Sequence, residues 1–123
     1  MEQVRMNKML ILETRIGIYP TPLNNIAAIE KTQQNGLTIY THEHTLTEVN
    51  STLQQLENTC SDDFIYLNRQ CIVNKKAISH VVPKSREIYI KIMDNGQKKF
   101  ICSRNKLKEL IKWLESISAQ IPD

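Results

Sequence analysis

The amino-acid sequence predicts a mainly β fold with minor α: many short strands, one short internal helix and a longer C-terminal helix. Three observations predict it. Short runs of β-branched and aromatic residues recur between clusters of Asn, Asp, Gly and Pro, which is the pattern of strands and turns. Asp94-Asn95-Gly96 separates two such runs and is the strongest short hairpin signal in the chain. From Ser103 onward the apolar period lengthens to that of a helix.

Residues 9–19 (MLILETRIGIY) mix β-branched and aromatic residues with polar ones, so two short strands with a turn are expected. Pro20-Thr21-Pro22 is expected to end that run by removing ladder donors. Asn24-Asn25 leads into the apolar run 26–29, and Gln33-Gln34-Asn35-Gly36 is a turn cluster before a strand at 37–41. A strand at 45–49 completes a hairpin with it. Asn50 or Ser51 caps a short helix with Leu53 and Leu56 on one face, closed by residues 60–63. Residues 64–67 and 71–73 are strand segments parted by the polar triplet Asn68-Arg69-Gln70, which predicts a loop or bulge. Strands at 78–82, 87–93 and 97–102 follow. Ser103 then caps an amphipathic helix whose stripe is Leu107, Leu110, Ile111, Leu114 and Ile117, with Trp113 beside it.

The 123 residues suit one domain, 1–123, with a core of its own. The composition, 41% hydrophobic and 24% charged, is that of a soluble globular protein. The longest strongly apolar stretch, residues 9–12, is far short of a membrane span. Glu2, Arg5, Asn7 and Lys8 interrupt any signal-peptide order, so a cytoplasmic location is expected. The cysteines Cys60, Cys71 and Cys102 have no CxxC spacing and are read as reduced thiols, Cys71 and Cys102 acting as small hydrophobes.

The net charge of +3 hides a division. Residues 1–63 carry four Lys/Arg against eight Asp/Glu, a net −4, and residues 64–123 carry twelve against five, a net +7. Segregated positive charge is the footprint of a phosphate-binding face, although a solvated lysine-rich surface produces the same count.

No nucleophile with its base and no recognised ligand spacing emerges, so neither an enzyme nor a metal or cofactor site is predicted. His42 and His44 alternate along a segment read as strand, which is compatible with metal ligation, but they lack a further His or Cys at a recognised spacing. His80 reads as a packed or surface histidine. An RNA or single-strand binder would expose stacking aromatics, and Tyr40, Phe64, Tyr66, Tyr89 and Phe100 read instead as strand residues packing a core. A protein-interaction module stays open if the basic charge is scattered.

The segment FIYLNRQCIVNKKAI (64–78), followed by a strand, an NG hairpin and FICSRNKLKELIKWL (100–114), resembles the LytTR family of bacterial response-regulator output domains. The earlier IAAIEK (26–31), a strand pair and STLQQLE (51–57) are similar to that family's upstream elements, so the resemblance spans about residues 10–118. It implies small antiparallel sheets, and duplex DNA bound by loops entering the major groove rather than by a recognition helix. It also implies promoter sites that recur as repeats, with a homodimer forming on them. Relatives usually carry a receiver domain before this module. With no room for one, the chain is expected to be either a stand-alone regulator or an excised output domain.

By position, Arg69 matches the arginine of the family's usual His-Arg-Ser triplet, and Arg104 the arginine after the serine at the hairpin's end. Arginine's fork pairs with guanine O6 and N7 or with a phosphate. Asn74 matches the asparagine ending the strand motif, where it holds the turn or meets DNA. Lys75, Lys76, Lys106 and Lys108 lie near the two loops and suit phosphates, Ser103 at the helix start is either an N-cap or a phosphate ligand, and Asn105 beside Arg104 is counted with the DNA contacts. Asn68 and Gln70 replace the triplet's histidine and serine and offer bidentate contacts to adenine, and Cys71 replaces a larger apolar residue. Where some relatives carry a further base-reading side chain, this chain has Gln34, Asn35 and Gly36.

Overall fold

A computed structural model describes residues 8–32, 36–60 and 62–118. Ten strands and two helices follow the predicted order: β1 (Met9–Glu13), β2 (Ile18–Pro22), β3 (Ile26–Lys31), β4 (Leu37–Thr41), β5 (Thr45–Val49), α1 (Leu53–Glu57), β6 (Phe64–Asn68), β7 (Cys71–Asn74), β8 (Ile78–Val82), β9 (Glu87–Lys91), β10 (Gln97–Ile101) and α2 (Arg104–Ser118). They form three antiparallel sheets: a β1-β2 hairpin, a central sheet ordered β5-β4-β3-β7-β6, and a third sheet ordered β10-β9-β8.

The central sheet is covered on both faces, which explains why β3 and β7 read as continuous apolar runs. On one face Ile26, Ile29, Ile39 and Ile72 pack with Leu10 and Leu12 of the hairpin and Leu53 and Leu56 of α1. On the other Ala27, Ala28, Ile65, Leu67, Cys71 and Val73 pack with Ile88, Ile90 and Phe100 of the third sheet and Leu110 of α2. A register shift between Ile26 and Ala28 puts the consecutive Ala27 and Ala28 in the second core, while Ile26 and Ile29 lie in the first. Of the predicted stripe, Leu107 and Leu114 join Leu110 on the second core, with Trp113 from beside it.

Three local expectations are corrected. Pro20 and Pro22 lie inside β2 instead of ending the run. Leu23 N–H donates to Lys8 O, so with period two the nitrogens of Pro20 and Pro22 face the open edge, where no donor is needed. The cap of α1 is Thr52, not Asn50 or Ser51: its hydroxyl accepts the Gln55 N–H while the Gln55 side chain accepts the Thr52 N–H. His42 and His44 occupy the β4–β5 turn rather than a strand.

The predicted hairpin between β9 and β10 forms, with Asp94 and Asn95 at its corner, both at φ 59°. Gly96 follows them and donates its N–H to Met93 O. Tyr40 and Phe100 meet edge to face and Phe64 and Tyr66 flank the first core, as expected of strand aromatics. Tyr89 departs from that expectation, stacking on exposed His80 with centroids 4.3 Å apart outside both cores.

All three cysteines are free. Burial pushes the Cys71 thiol up to about 12 and, with Glu57 nearby, Cys60 to about 11, and it raises Cys102 as well. Thiols whose pKa is raised on folding stabilise the fold below their unfolded value and lose that contribution as pH climbs toward the folded one. Stability to urea is therefore expected to hold up to about pH 9 and to fall from there toward pH 12. Replacing Cys71 by Ala should flatten that fall, and an unchanged alkaline limb in this variant would remove the thiol as its cause.

Candidate nucleic-acid interface

Asn68 ends β6 opposite Cys71, so only Arg69 and Gln70 form the connecting turn. The triplet read as a loop or bulge is thus a turn, and a register shift between Tyr66 and Asn68 puts the bulge just before it. The Asn68 Oδ1 accepts the Gln70 N–H at 2.6 Å, and its Nδ2 donates to Ile101 O at 2.7 Å. Both ends of this amide serve the fold, holding the turn and tying it to β10. Arg69 and Gln70 themselves are exposed.

The second loop joins β10 to α2. Ser103 donates its N–H to Leu67 O at 2.8 Å, and its Oγ accepts the Lys106 N–H at 3.3 Å, the predicted N-cap. Arg104 is thereby fixed at the first helical position, exposed, with Asn105 exposed beside it. Lys108 and Lys112 follow at steps of four, on the same side of α2 as Arg104. Lys106 pairs with Glu109 at 3.2 Å, a surface contact that leaves it able to exchange partners.

Two further connections join the same end of the molecule. Lys31 donates its N–H to Gln70 O at 2.7 Å, which brings the β3–β4 connection against the Arg69 turn. An open groove of about 500 Å³ lies there, lined by Lys31, Thr32, Ser51, Gln54, Tyr66 and Arg69 among others. Gln34 and Asn35 lie outside the described residues, whereas Gly36 is described at φ 106°, with a Val49 oxygen 2.9 Å from where a Cβ would sit. On the other side, Cys102 donates its N–H to Arg86 O at 2.9 Å. Four connections thus stand in a row, stitched by backbone hydrogen bonds.

The structure does not bring Asn74, Lys75 and Lys76 into that row, although they are near it in sequence. They sit at the far end of β7, roughly 16 Å from the Arg69 turn at 3.3 Å per residue. Asn74 is buried, donating to Ile26 O at 3.1 Å and accepting the Lys76 N–H at 3.0 Å, so it holds the turn rather than facing a ligand. The Lys75 ammonium lies over the Trp113 ring at 5.1 Å, and Lys76 pairs with Asp63 at 3.3 Å. Conversely, the row also holds Lys31, Arg86 and Lys112, which the reading of the sequence does not include. A signal existed for two of them: Lys112 continues the four-residue spacing from Arg104, and Arg86 closes a Pro-Lys-Ser-Arg turn in a stretch, 64–86, without a single Asp or Glu.

A β-rich domain presenting arginines and lysines on one row of loops has the build of a nucleic-acid-binding domain. The family of LytTr DNA-binding domains matches residues 17–115, and the chain belongs to it. DNA binding and transcription regulation, rather than catalysis, come with that membership. The fold is similar to that of the LytTr DNA-binding domain of a Bacillus cereus response regulator, at a TM-score of 0.68 and 24% identity over 86% of this chain and 95% of that one. No curated protein matches the chain. Among the described residues no helix is long and apolar enough to cross a membrane, and no three His, Cys, Asp or Glu side chains gather as metal ligands.

Proposed function

We propose that this domain reads duplex DNA sequence by placing the Arg69 turn and the Arg104 loop in the major groove, and so sets a regulator on its promoter sites. The observation that carries this reading is the pair of hydrogen bonds between the two loops, Ser103 N–H to Leu67 O and Asn68 Nδ2 to Ile101 O. They tie the backbones of the two loops together while leaving the arginine side chains exposed. Arginine suits base edges from such loops, since its planar fork loses less entropy per hydrogen bond than a flexible ammonium does. Gln70 is free to add an adenine contact, and Asn105, Lys106 and Lys108 lie where the groove's phosphates would pass. Asn68 and Ser103 act as positioners. Lys75 and Lys76 stay outside this contact.

A homodimer on repeated sites is part of the proposal. What supports a protein contact is the outer face of the β1-β2 hairpin, where Met9, Ile11 and Ile18 are 54%, 63% and 64% exposed. Apolar surface of this kind marks interaction sites.

Selection from a random duplex library, run beside an RNA pool, tests the reading. A short duplex motif should be retained, and recurrence of that motif as a repeat would support the dimer. With around five phosphate contacts, log affinity should fall against log salt with a slope near −4.5. A flat salt response, or enrichment from the RNA pool alone, overturns duplex recognition.

A further inference from the structure

We infer that the β8–β9 turn, through Arg86 with Lys84 beside it, is a phosphate clamp at the edge of the DNA interface. This rests on the reading above and adds a contact that neither arginine loop supplies.

Cys102 donates its N–H to Arg86 O while its neighbour Ser103 donates to Leu67 O, so residues 102–103 run between the end of β6 and the β8–β9 turn. Two such backbone spacings of about 5 Å put the Arg86 turn roughly 10 Å from the end of β6 that carries Arg69. The major groove is about 12 Å wide. With Arg69 and Arg104 in the groove, Arg86 therefore falls at its lip, where the sugar-phosphate strand runs.

The backbone of this turn is held in a conformation that does not favour arginine. Arg86 has φ 58°, the left-handed region where a Cβ is strained and where glycine or asparagine sits more easily. A strained backbone that carries a long cationic side chain points to a use for that side chain.

The charge is also uncommitted. Among the described residues, neither Arg86 nor Lys84 has an acidic partner within ion-pair distance. The adjoining Glu87 carboxylate is taken up instead by Lys99 at 3.3 Å and by the Ser85 hydroxyl at 2.9 Å. Arg86 is near enough to Cys102 to counter part of the burial that raises its thiol, which places the positive charge beside the Arg104 loop. A phosphate is the ligand this arrangement fits, because a cation at the groove's lip meets the backbone before any base edge.

The test uses the whole chain and the duplex retained in the selection. Arg86→Asn and Arg86→Gly keep the left-handed backbone and remove the charge, Arg86→Lys keeps the charge, and Lys91→Gln removes a charge at the other end of β9. Losing one phosphate contact should lower affinity roughly five- to tenfold near 0.1 M salt, equally on specific and unrelated duplexes, and flatten the salt slope by about 0.9. Arg86→Lys should restore most of both, and Lys91→Gln should leave the slope unchanged. Unaltered affinity and slope in Arg86→Asn and Arg86→Gly, with wild type still binding steeply, overturn the clamp alone. A wild type that binds no duplex takes the proposed function down with it. Equal slope changes in Lys91→Gln and Arg86→Asn reduce the effect to net charge and also overturn the clamp.

Discussion

Replacing Arg104 by Ala is expected to weaken binding to the preferred duplex by about 1–3 kcal/mol while costing much less on unrelated sequence, so that discrimination itself collapses. The fold should barely register the change. Arg104 is exposed at the first turn of α2, and the cap that starts the helix is Ser103, which the substitution leaves in place. Alanine is also the best helix former at that position. The loss is therefore expected to appear in binding and not in thermal unfolding. Titration of the preferred and a scrambled duplex with wild type and variant decides the point. If both duplexes lose affinity by the same factor, Arg104 is a phosphate contact and base reading falls to Arg69 and Gln70. The same comparison for Arg69→Ala separates the two arginines.

The strand and helix order was legible because each element carries its own periodicity, and the β9–β10 turn because few sequences other than Asp-Asn-Gly accept two left-handed residues in succession. Harder to see was anything that depends on which edge of a strand faces solvent. Pro20 and Pro22 are breakers by residue type, yet they are tolerated where β2 has no partner on one side. Capping by Thr52 instead of Ser51 turns on Gln55 standing three residues on, a pairing visible in the sequence only once the competing caps are compared.

For the candidate site the limit was distance. Arg69 and Arg104 are 35 positions apart and become neighbours through Leu67, Asn68, Ile101 and Ser103. Lys75 and Lys76 stand only six and seven positions from Arg69, yet a four-residue strand carries them to the opposite end. Nearness in sequence therefore does not put Lys75 and Lys76 on the row, whereas the 64–86 stretch empty of acids ends on it at Arg86.

Those cross-links make Leu67 the position where packing and recognition are most tightly joined. Its side chain is fully buried in the second core, and its carbonyl accepts the Ser103 N–H at 2.8 Å. Truncation to Ala removes buried methyl groups and leaves a cavity beneath the Arg69 turn, for an expected cost of about 2–5 kcal/mol. For a chain of this size that is a fall in Tm on the order of 10–20 °C. Leu67→Met, which conserves volume, should lose less than about 1.5 kcal/mol. Because the end of β6 holds both loops in register, Leu67→Ala should also bind its preferred duplex more weakly per folded molecule, measured well below its Tm, while Leu67→Met binds as wild type does. A large drop in Tm with unchanged affinity per folded molecule would mean that the Asn68 side-chain bonds alone hold the arginines in place. In that case Asn68→Ala, and not Leu67→Ala, would be the substitution that uncouples them.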